Sequence, residues 1–253
     1  MIIAPPGELI AVWFSCGAAS AVAAKLTVEI YGKTNPIRVI NNPVIEEHPD
    51  NRRFLISVQK WLGMDIENAQ NPKYPNASAV EVWENRKFMS SPRGAPCTLE
   101  LKKNARYLWE KENQPKWHVL GFTADERERH ARFIKSERSN VLPVLINAGY
   151  TKQRCFDVLR AYHIQLPKIY EYGFSNVNCI GCVKSKGVGY WQNVRKNFPE
   201  IFSARAQQSR RIGCKLVVYK GERIFLDELP INAIGRQQRK SVECGIFCEP
   251  EKL

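Results

Sequence analysis

The sequence lacks the features that would place the protein in a membrane or outside the cell. No uninterrupted apolar stretch among its 253 residues approaches the ~20 residues that a membrane-spanning helix requires. Residues 1–14 have no basic segment ahead of their short apolar run, so they predict a buried first strand and not a signal peptide. Eight cysteines are too sparse for a disulfide scaffold of this length. We therefore expect a cytoplasmic protein with reduced thiols and no membrane partner.

Histidine is also scarce, and sequence repetition is not visible. The four histidines (His48, His118, His130 and His163) form no cluster, so none is predicted to bind a metal. A hydrophobic fraction of 44% and a charged fraction of 25% are ordinary for a folded protein and exclude the disordered and collagen-like classes.

Charge is abundant and mostly positive. Lys and Arg number 38 against 25 acidic residues, which gives a net charge of +13. Such an excess favours a polyanionic partner, either nucleotide phosphates or a nucleic acid. A basic surface that is simply solvated is the alternative, and charge alone does not distinguish the two.

Apolar runs of strand length alternate with amphipathic segments. Leu9–Phe14 predicts a strand, and the Ala-rich stretch Ser20–Tyr31 predicts the helix that follows. This alternation predicts an α/β fold, a mainly parallel twisted sheet with helices on both faces, over residues 1–205. Residues 206–253 are predicted to form a β-hairpin, from Cys214–Tyr219 and Arg223–Leu226, followed by a cysteine-bearing tail.

Two loops follow predicted strands and open predicted helices. Ser15–Ser20 is built of small residues, which allow backbone N–H groups and hydroxyls to approach a phosphate at the positive end of a helix. It lacks the Lys and the spacing of the P-loop NTPase signature, which disfavours that class. In Gly121–Arg129, Arg127 or Arg129 could hold an anion by forked hydrogen bonds. A tight turn and a solvated helix face are the respective alternatives.

The cysteines form three groups along the chain. Cys179 and Cys182 have the spacing at which two thiolates reach one metal or iron–sulfur cluster, and Cys97 could supply a third ligand. Cys155 and Cys214 lie in apolar surroundings typical of core residues.

The remaining thiols lie near the carboxyl terminus. A basic segment precedes Cys244 and would lower its pKa, which predicts a nucleophile. The alternatives are a simple tail thiol, or a zinc site in which Cys244 and Cys248 join Cys179 and Cys182.

Taken together, these segments resemble the phosphoadenosine phosphosulfate (PAPS) reductase family of the PP-loop, adenine nucleotide alpha-hydrolase-like superfamily. The resemblance extends over most of the chain. The matching segments are Ser15–Val22 (the modified PP-loop), Pro96-Cys97-Thr98 with Leu101-Lys102, Gly121-x4-Glu126-x2-Arg129, Asn178–Cys182 and Glu243–Ile246.

The resemblance implies an enzyme that reduces a sulfonucleotide, PAPS or its analogue APS, to sulfite with a thioredoxin-type reductant. It implies that Cys244 is the catalytic nucleophile and that the metal ligands of a 4Fe-4S cluster are Cys97, Cys179, Cys182 and Cys248, unless one iron stays open. The nucleotide-binding residues that it implies are Ser15, Cys16, Gly17, Ala18, Ser20, Gly121, Glu126 and Arg129. A homo-oligomer is compatible with this interpretation.

Two departures from the family pattern keep other functions open. Ala19 stands where ATP-using relatives carry Asp, which favours a sulfonucleotide over ATP, and Phe247 replaces the terminal His. One alternative is an ATP- and Mg²⁺-dependent PP-loop sulfurtransferase or modifying enzyme that acts on nucleic acid with an iron–sulfur cluster. The other is a non-catalytic, zinc-containing nucleic-acid-binding protein.

Overall fold

The computed structural model describes residues 3–91 and 94–235. Over these residues the strands are β1 (Ile10–Phe14), β2 (Ile37–Asn41), β3 (Ile66–Asn68), β4 (Trp117–Val119), β5 (Val141–Leu142), β6 (Val217–Tyr219) and β7 (Glu222–Ile224). The helices are α1 (Ala18–Tyr31), α2 (Asn51–Leu62), α3 (Ala79–Arg86), α4 (Ala105–Asn113), α5 (Arg127–Ser136), α6 (Val144–Asn147), α7 (Lys152–Ala161), α8 (Val188–Asn197) and α9 (Pro199–Ile212). None of these helices combines the length and apolar character needed to cross a bilayer.

Five of the described strands form one parallel sheet in the order β3-β2-β1-β4-β5. In the central strand, Ile10 is in register with Ile37 on one side and with Trp117 on the other. The predicted parallel α/β fold is confirmed.

Both faces of the sheet are covered, because alternate residues of β1 enter different cores. Ile10, Val12 and Phe14 pack with the buried faces of α1, α2 and α7. Ala11 and Trp13 point to the opposite face, where they cluster with Trp109 of α4. This two-sided burial explains why β1 is apolar throughout.

A separate core, the C-terminal core, unites α3, α8, α9 and the predicted hairpin. Its central side chains include Trp83, Trp191 and Val217. Strands β6 and β7 pair antiparallel, which confirms the hairpin. The boundary predicted between residues 205 and 206 lies within α9, and a separate C-terminal unit stays a prediction.

In the sequence, the apolar residues Phe54, Leu55, Val58, Trp61 and Leu62 share one helical face, which predicts a helix over Asn51–Leu62 with Asp50 as its N-cap and Gly63 as its end. The helix has the predicted bounds and ends at Gly63, whose φ of 71° is left-handed. The Asp50 side chain does not cap α2 and instead binds Arg53, with its Oδ1 2.6 Å from the Nε. The helical spacing of Cys155, Val158, Leu159 and Tyr162 predicts that they share the inner face of α7. Tyr162 is instead 56% exposed, because α7 ends one residue earlier.

Candidate functional site

A cleft of about 910 Å³ opens at the carboxyl edge of the parallel sheet. Both loops singled out in the sequence contribute to it. Six of the predicted nucleotide-binding residues line the cleft: Ser15, Gly17, Ser20, Gly121, Glu126 and Arg129. This is the edge at which open α/β sheets bind their ligands, since the loops that leave the strands converge there.

The first loop is closed by the side chain of Ser20. Its Oγ accepts hydrogen bonds from the Ser15 N–H (3.1 Å) and the Ser15 Oγ (3.2 Å), and donates to the Gly17 carbonyl (2.9 Å). Helix α1 then begins at Ala18, with Gly17 as its N-cap. Its first turn has no acidic residue, and no side chain caps its amino-terminal end. The positive end of the helix dipole is therefore not neutralised locally, which favours an anion in this part of the cleft.

The second loop approaches the first so closely that residue 121 must be glycine. A Cβ on Gly121 would lie 2.9 Å from the Ser20 nitrogen and 3.1 Å from the Ala19 carbonyl carbon. Both neighbours are backbone atoms at the start of α1 and cannot rotate away. The close contact fixes the two loops relative to each other.

Glu126 and Arg129 interact within the second loop. The Glu126 carboxylate accepts the Thr123 N–H (3.2 Å) and also pairs with Arg129. The Arg129 guanidinium lies over the Phe122 ring, 5.0 Å from its centroid. Glu126 thus orients Arg129, whose charge lies at the cleft wall.

Cys16 and Ala18, also predicted to bind the nucleotide, are absent from the cleft lining described here. Cys16 has a φ of 55° and is buried, with its Sγ 3.6 Å from the Asn41 Nδ2. Burial raises the pKa of its thiol. Ala18 is fully buried and donates its N–H to the Tyr170 hydroxyl at 3.3 Å. Both residues shape the loop from behind.

Sequence reasoning did not assign a role to a buried ion pair at the cleft. Lys102 Nζ lies 3.2 Å from Glu47 Oε1, and both side chains are about nine-tenths buried. Burial raises the pKa of Glu47, and Lys102 opposes that effect. Lys102 lies in the π-helical segment Thr98–Asn104, which begins directly after Cys97. Its place in the Leu101-Lys102 motif was a signal that could have identified it.

Lys152 and Tyr170 also line the cleft and were not predicted. Lys152 is the first residue of α7, and its Nζ binds the Ser175 carbonyl and the Asn176 Oδ1 (2.9 Å). Burial lowers the pKa of Lys152 and raises that of Tyr170 to about 12. In the sequence both residues resemble ordinary surface residues. They could not be predicted as site residues, because they reach the cleft only when distant chain segments pack together.

The predicted metal ligands of the described chain lie in the C-terminal core. Cys97 and Cys179 are partly buried there, and Cys182 is buried. The turn from Cys179 to Cys182 is held by Tyr190, whose hydroxyl accepts the Cys182 N–H (2.7 Å) and is 3.3 Å from the Cys179 carbonyl.

Cys179 and Cys182 line a second cavity, of about 440 Å³, which adjoins the first. Ser175, Asn176 and Asn178 line both. The cavity of Cys179 and Cys182 and the cleft of the two loops thus share one chain segment as a wall.

The cysteine side chains are of a type that favours metal binding, but their arrangement in the described residues does not. Thiols partly shielded from water suit zinc or an iron–sulfur cluster. Within residues 3–91 and 94–235, however, no three His, Cys, Asp or Glu side chains are grouped so that they could bind one metal ion. Cys244 and Cys248, the predicted nucleophile and fourth ligand, lie outside the described residues.

No protein-family model matches the sequence, and neither does any curated protein. Solved structures similar in fold include the following three. The PAPS reductase of Candida auris, solved as a phosphate complex, has a TM-score of 0.46 and 9% identity, over 67% of this chain and 80% of that one.

The second, the U34-tRNA thiolase NcsA of Methanococcus maripaludis with its 4Fe-4S cluster, has a TM-score of 0.48 and 13% identity, over 82% of this chain and 73% of that one. The third, the glutamine-dependent NAD⁺ synthetase of Acinetobacter baumannii in complex with ADP, has a TM-score of 0.39 and 14% identity, over 89% of this chain and 45% of that one. At these values, function has to be argued from the site residues of this chain.

Proposed function

We propose that the cleft binds an adenine sulfonucleotide, PAPS or APS, and that the protein reduces it to sulfite and an adenosine phosphate. The observation that carries the proposal is the convergence of Ser15–Ser20 and Gly121–Arg129 at one edge of the sheet. Two separate sequence motifs that predicted phosphate binding thereby share one cavity.

Charge in the cleft supports an anionic ligand. The amino-terminal end of α1 provides a positive dipole, while Arg129 and Lys152 provide cationic side chains on other walls. Arg129 can bind phosphate or sulfate oxygens by forked hydrogen bonds, and Lys152 acts as a point charge. Ala19 lines the cleft where a carboxylate would otherwise add negative charge. The helix dipole and the two cations favour an anionic nucleotide as the ligand.

The proposed chemistry uses Cys244 as the nucleophile. Its thiolate attacks the sulfate sulfur, so that an S–S bond forms, the S–O bond to the nucleotide breaks, and the adenosine phosphate leaves with the electron pair. A thiolate of a thioredoxin-type reductant then attacks the Cys244 sulfur and releases sulfite. The second thiol of the reductant resolves the mixed disulfide.

Cys97, Cys179, Cys182 and Cys248 have the donor type that a thiol-ligated cluster needs, but the three of them that lie in the described residues are not grouped so that they could bind one metal ion. No step of the proposed reaction depends on such a cluster. Of these thiols, Cys179 and Cys182 border the cavity next to the cleft.

The test is sulfite release from PAPS and APS with a thioredoxin system. Cys244→Ser should abolish sulfite formation while nucleotide binding persists, because the nucleophile is lost and the cleft is intact. Cys155→Ser is the matched control, since Cys155 is buried in the other core and should leave the reaction unchanged. Sulfite formation at the wild-type rate by Cys244→Ser would refute the proposal.

A second candidate is ATP-dependent sulfur transfer to a nucleic acid. The observation in its favour is the thiol-lined cavity next to the nucleotide cleft, in a chain with a net charge of +13. Pyrophosphate release from ATP that depends on added tRNA or DNA would select this function. Sulfite release without nucleic acid would exclude it as the main activity.

A further inference from the structure

Cys179 and Cys182 lie at the two ends of one tight turn. The chain turns at Ile180 and Gly181, and the φ of 72° at residue 181 is a left-handed conformation that favours glycine. The Cα atoms at the two ends of a β-turn are within about 7 Å of each other. A disulfide spans a Cα–Cα distance of about 4.4–6.8 Å, so the turn brings these two cysteines to a separation at which they can pair.

The backbone of this turn is held in place by residues outside it. The Tyr190 hydroxyl accepts the Cys182 N–H at 2.7 Å and donates to the Cys179 carbonyl at 3.3 Å, so a single oxygen atom binds both ends of the turn. The Ile180 N–H donates to the Glu46 carbonyl at 2.9 Å. These contacts fix the backbone and keep the two cysteines adjacent.

The described residues do not complete a metal site around this pair, because no three His, Cys, Asp or Glu side chains among them are grouped to bind one metal ion. A dithiol that exchanges with disulfides needs only two sulfurs. In such a pair an accessible thiolate attacks first, and a neighbouring thiol then resolves the mixed disulfide. Cys179 is partly exposed and Cys182 is only 8% exposed, which fits these two roles in that order.

The surroundings of the turn are positively charged. The side chain of Arg205 packs against the backbone of the turn, since a Cβ on Gly181 would lie 3.6 Å from the Arg205 Nε. Lys196 lines the same cavity as the two cysteines. Positive charge near a cysteine favours the thiolate, which is the form that attacks a disulfide.

The cavity that Cys179 and Cys182 line is suited to a small anionic ligand. Its volume is about 440 Å³, and cavities of about 300–1,000 Å³ are typical of small-molecule sites. Lys196 forms no ion pair within the described residues, so its ammonium group is available to a carboxylate. The amide side chains of Asn176 and Asn178 also line the cavity, and amides hydrogen-bond with peptide groups. A small peptide that carries carboxylates matches these features.

We propose that Cys179 and Cys182 form a redox-active dithiol that exchanges with a small peptide disulfide bound in this cavity. The Cys179 thiolate attacks one sulfur of the peptide disulfide, so that a new S–S bond forms and one peptide thiolate leaves with the electron pair of the broken bond. The Cys182 thiolate then attacks the Cys179 sulfur and displaces the second peptide thiolate.

The cysteine pair is thereby oxidised to a disulfide, and the peptide disulfide is reduced to two thiols. The two protons that the cysteines release balance the two that the peptide thiolates take up. The exchange needs no nucleotide, so it is an activity separate from the proposed reduction of a sulfonucleotide.

The experiment equilibrates the chelator-treated, full-length protein with mixtures of reduced and oxidised glutathione. Remaining thiols are then blocked by alkylation, and the disulfides are mapped by mass spectrometry. Wild type should form the Cys179–Cys182 disulfide, with the loss of two hydrogen atoms. Cys182→Ser should instead accumulate one glutathione on Cys179, because the resolving thiol is missing. Cys179→Ser should lose both products, because the accessible thiol is missing.

Cys214→Ser is the matched control, since Cys214 is a partly exposed thiol of the same core that has no second cysteine close to it in sequence. This variant should form the Cys179–Cys182 disulfide as wild type does. Thermal unfolding of each variant checks that it is folded. If a serine variant does not fold, the alanine variant at the same position decides.

Three results would overturn the proposal. The first is a Cys179–Cys182 pair that stays reduced in oxidised glutathione. The second is a disulfide that joins Cys179 to a different cysteine of the chain. The third is a zinc or iron ion that protects both thiols from alkylation in protein purified without a chelator. Failure of the proposed reductase function is seen separately, as absence of sulfite formation, because the exchange is measured without a nucleotide.

Discussion

Gly121→Ala should weaken nucleotide binding more than its small size suggests. The added methyl group would lie 2.9 Å from the Ser20 nitrogen, whereas ordinary van der Waals contact begins at 3.4 Å. Since the neighbouring atoms belong to the backbone of α1, the two loops must separate by about 0.5 Å. The cleft uses both loops as walls, so its phosphate-binding groups move apart by a similar distance.

The size of the effect follows from the sensitivity of positioned groups to small displacements. A misplacement of about 1 Å can cost about 100-fold in a catalytic site. Half of that displacement corresponds to about tenfold, or about 1.4 kcal/mol, in binding. The clash itself should destabilise the fold by about 1–3 kcal/mol, as overpacking does elsewhere.

The assay is isothermal titration of the adenosine phosphate product into Gly121→Ala and wild-type protein, together with thermal unfolding of each. Gly187→Ala is the matched control, because a Cβ there would have no heavy atom within 4 Å and the residue does not have a positive φ. The control should bind like wild type. Unchanged affinity in Gly121→Ala, or an equal loss in Gly187→Ala, would refute the reasoning.

Three further predictions concern buried titratable groups. Lys102→Met should lower the free energy of unfolding, measured by urea denaturation, by about 3–5 kcal/mol, because it leaves Glu47 buried without its cation. Adding Glu47→Gln should restore most of that loss. Equal stability of the single and double variants would contradict this. Burial, with Arg138 and Arg106 nearby, lowers the pKa of His118 to about 3, so its contribution to stability is present above pH 6.5 and is lost as the pH falls toward 3. His118→Gln should therefore flatten the acid limb of the stability profile, and an unchanged limb would show that His118 is not its source. Burial raises the pKa of Cys155 from 9.0 to about 12, so its contribution is full below pH 9 and is lost as the pH rises toward 12. Cys155→Ala should remove about 1.4 kcal/mol per pH unit from the slope of that limb, and an identical slope would argue against a buried neutral thiol.

The parts of the fold that could be predicted were those with local signals. β1 is an apolar run that is followed by small residues. α2 has an apolar face, and the helix ends at Gly63. The short strands β3 and β5 have only three and two residues and, unlike β6 and β7, no tight turn that joins them to a neighbouring strand, so they could not be identified. Their pairing is determined by neighbours far away in sequence.

The candidate site divides in the same way. Ser15–Ser20 and Gly121–Arg129 could be predicted because each joins a strand to a helix with suitable residue types. The orientation of Cys16 could not be predicted, because it depends on a left-handed backbone conformation that a non-glycine residue seldom adopts. Lys152 acquires its significance only from its place in the cleft, which arises when distant segments pack together.

The segment that carries Ser175, Asn176 and Asn178 is a wall common to two cavities, and Lys152 anchors it from the nucleotide side. A ligand that shifts this wall in one cavity changes the shape of the other, and linkage requires the energetic effect to be equal in both directions. A ligand bound in the second cavity should therefore change nucleotide affinity. The nucleotide should then change the affinity for that ligand by the same factor, which makes the wall a thermodynamic coupling element as well as a partition.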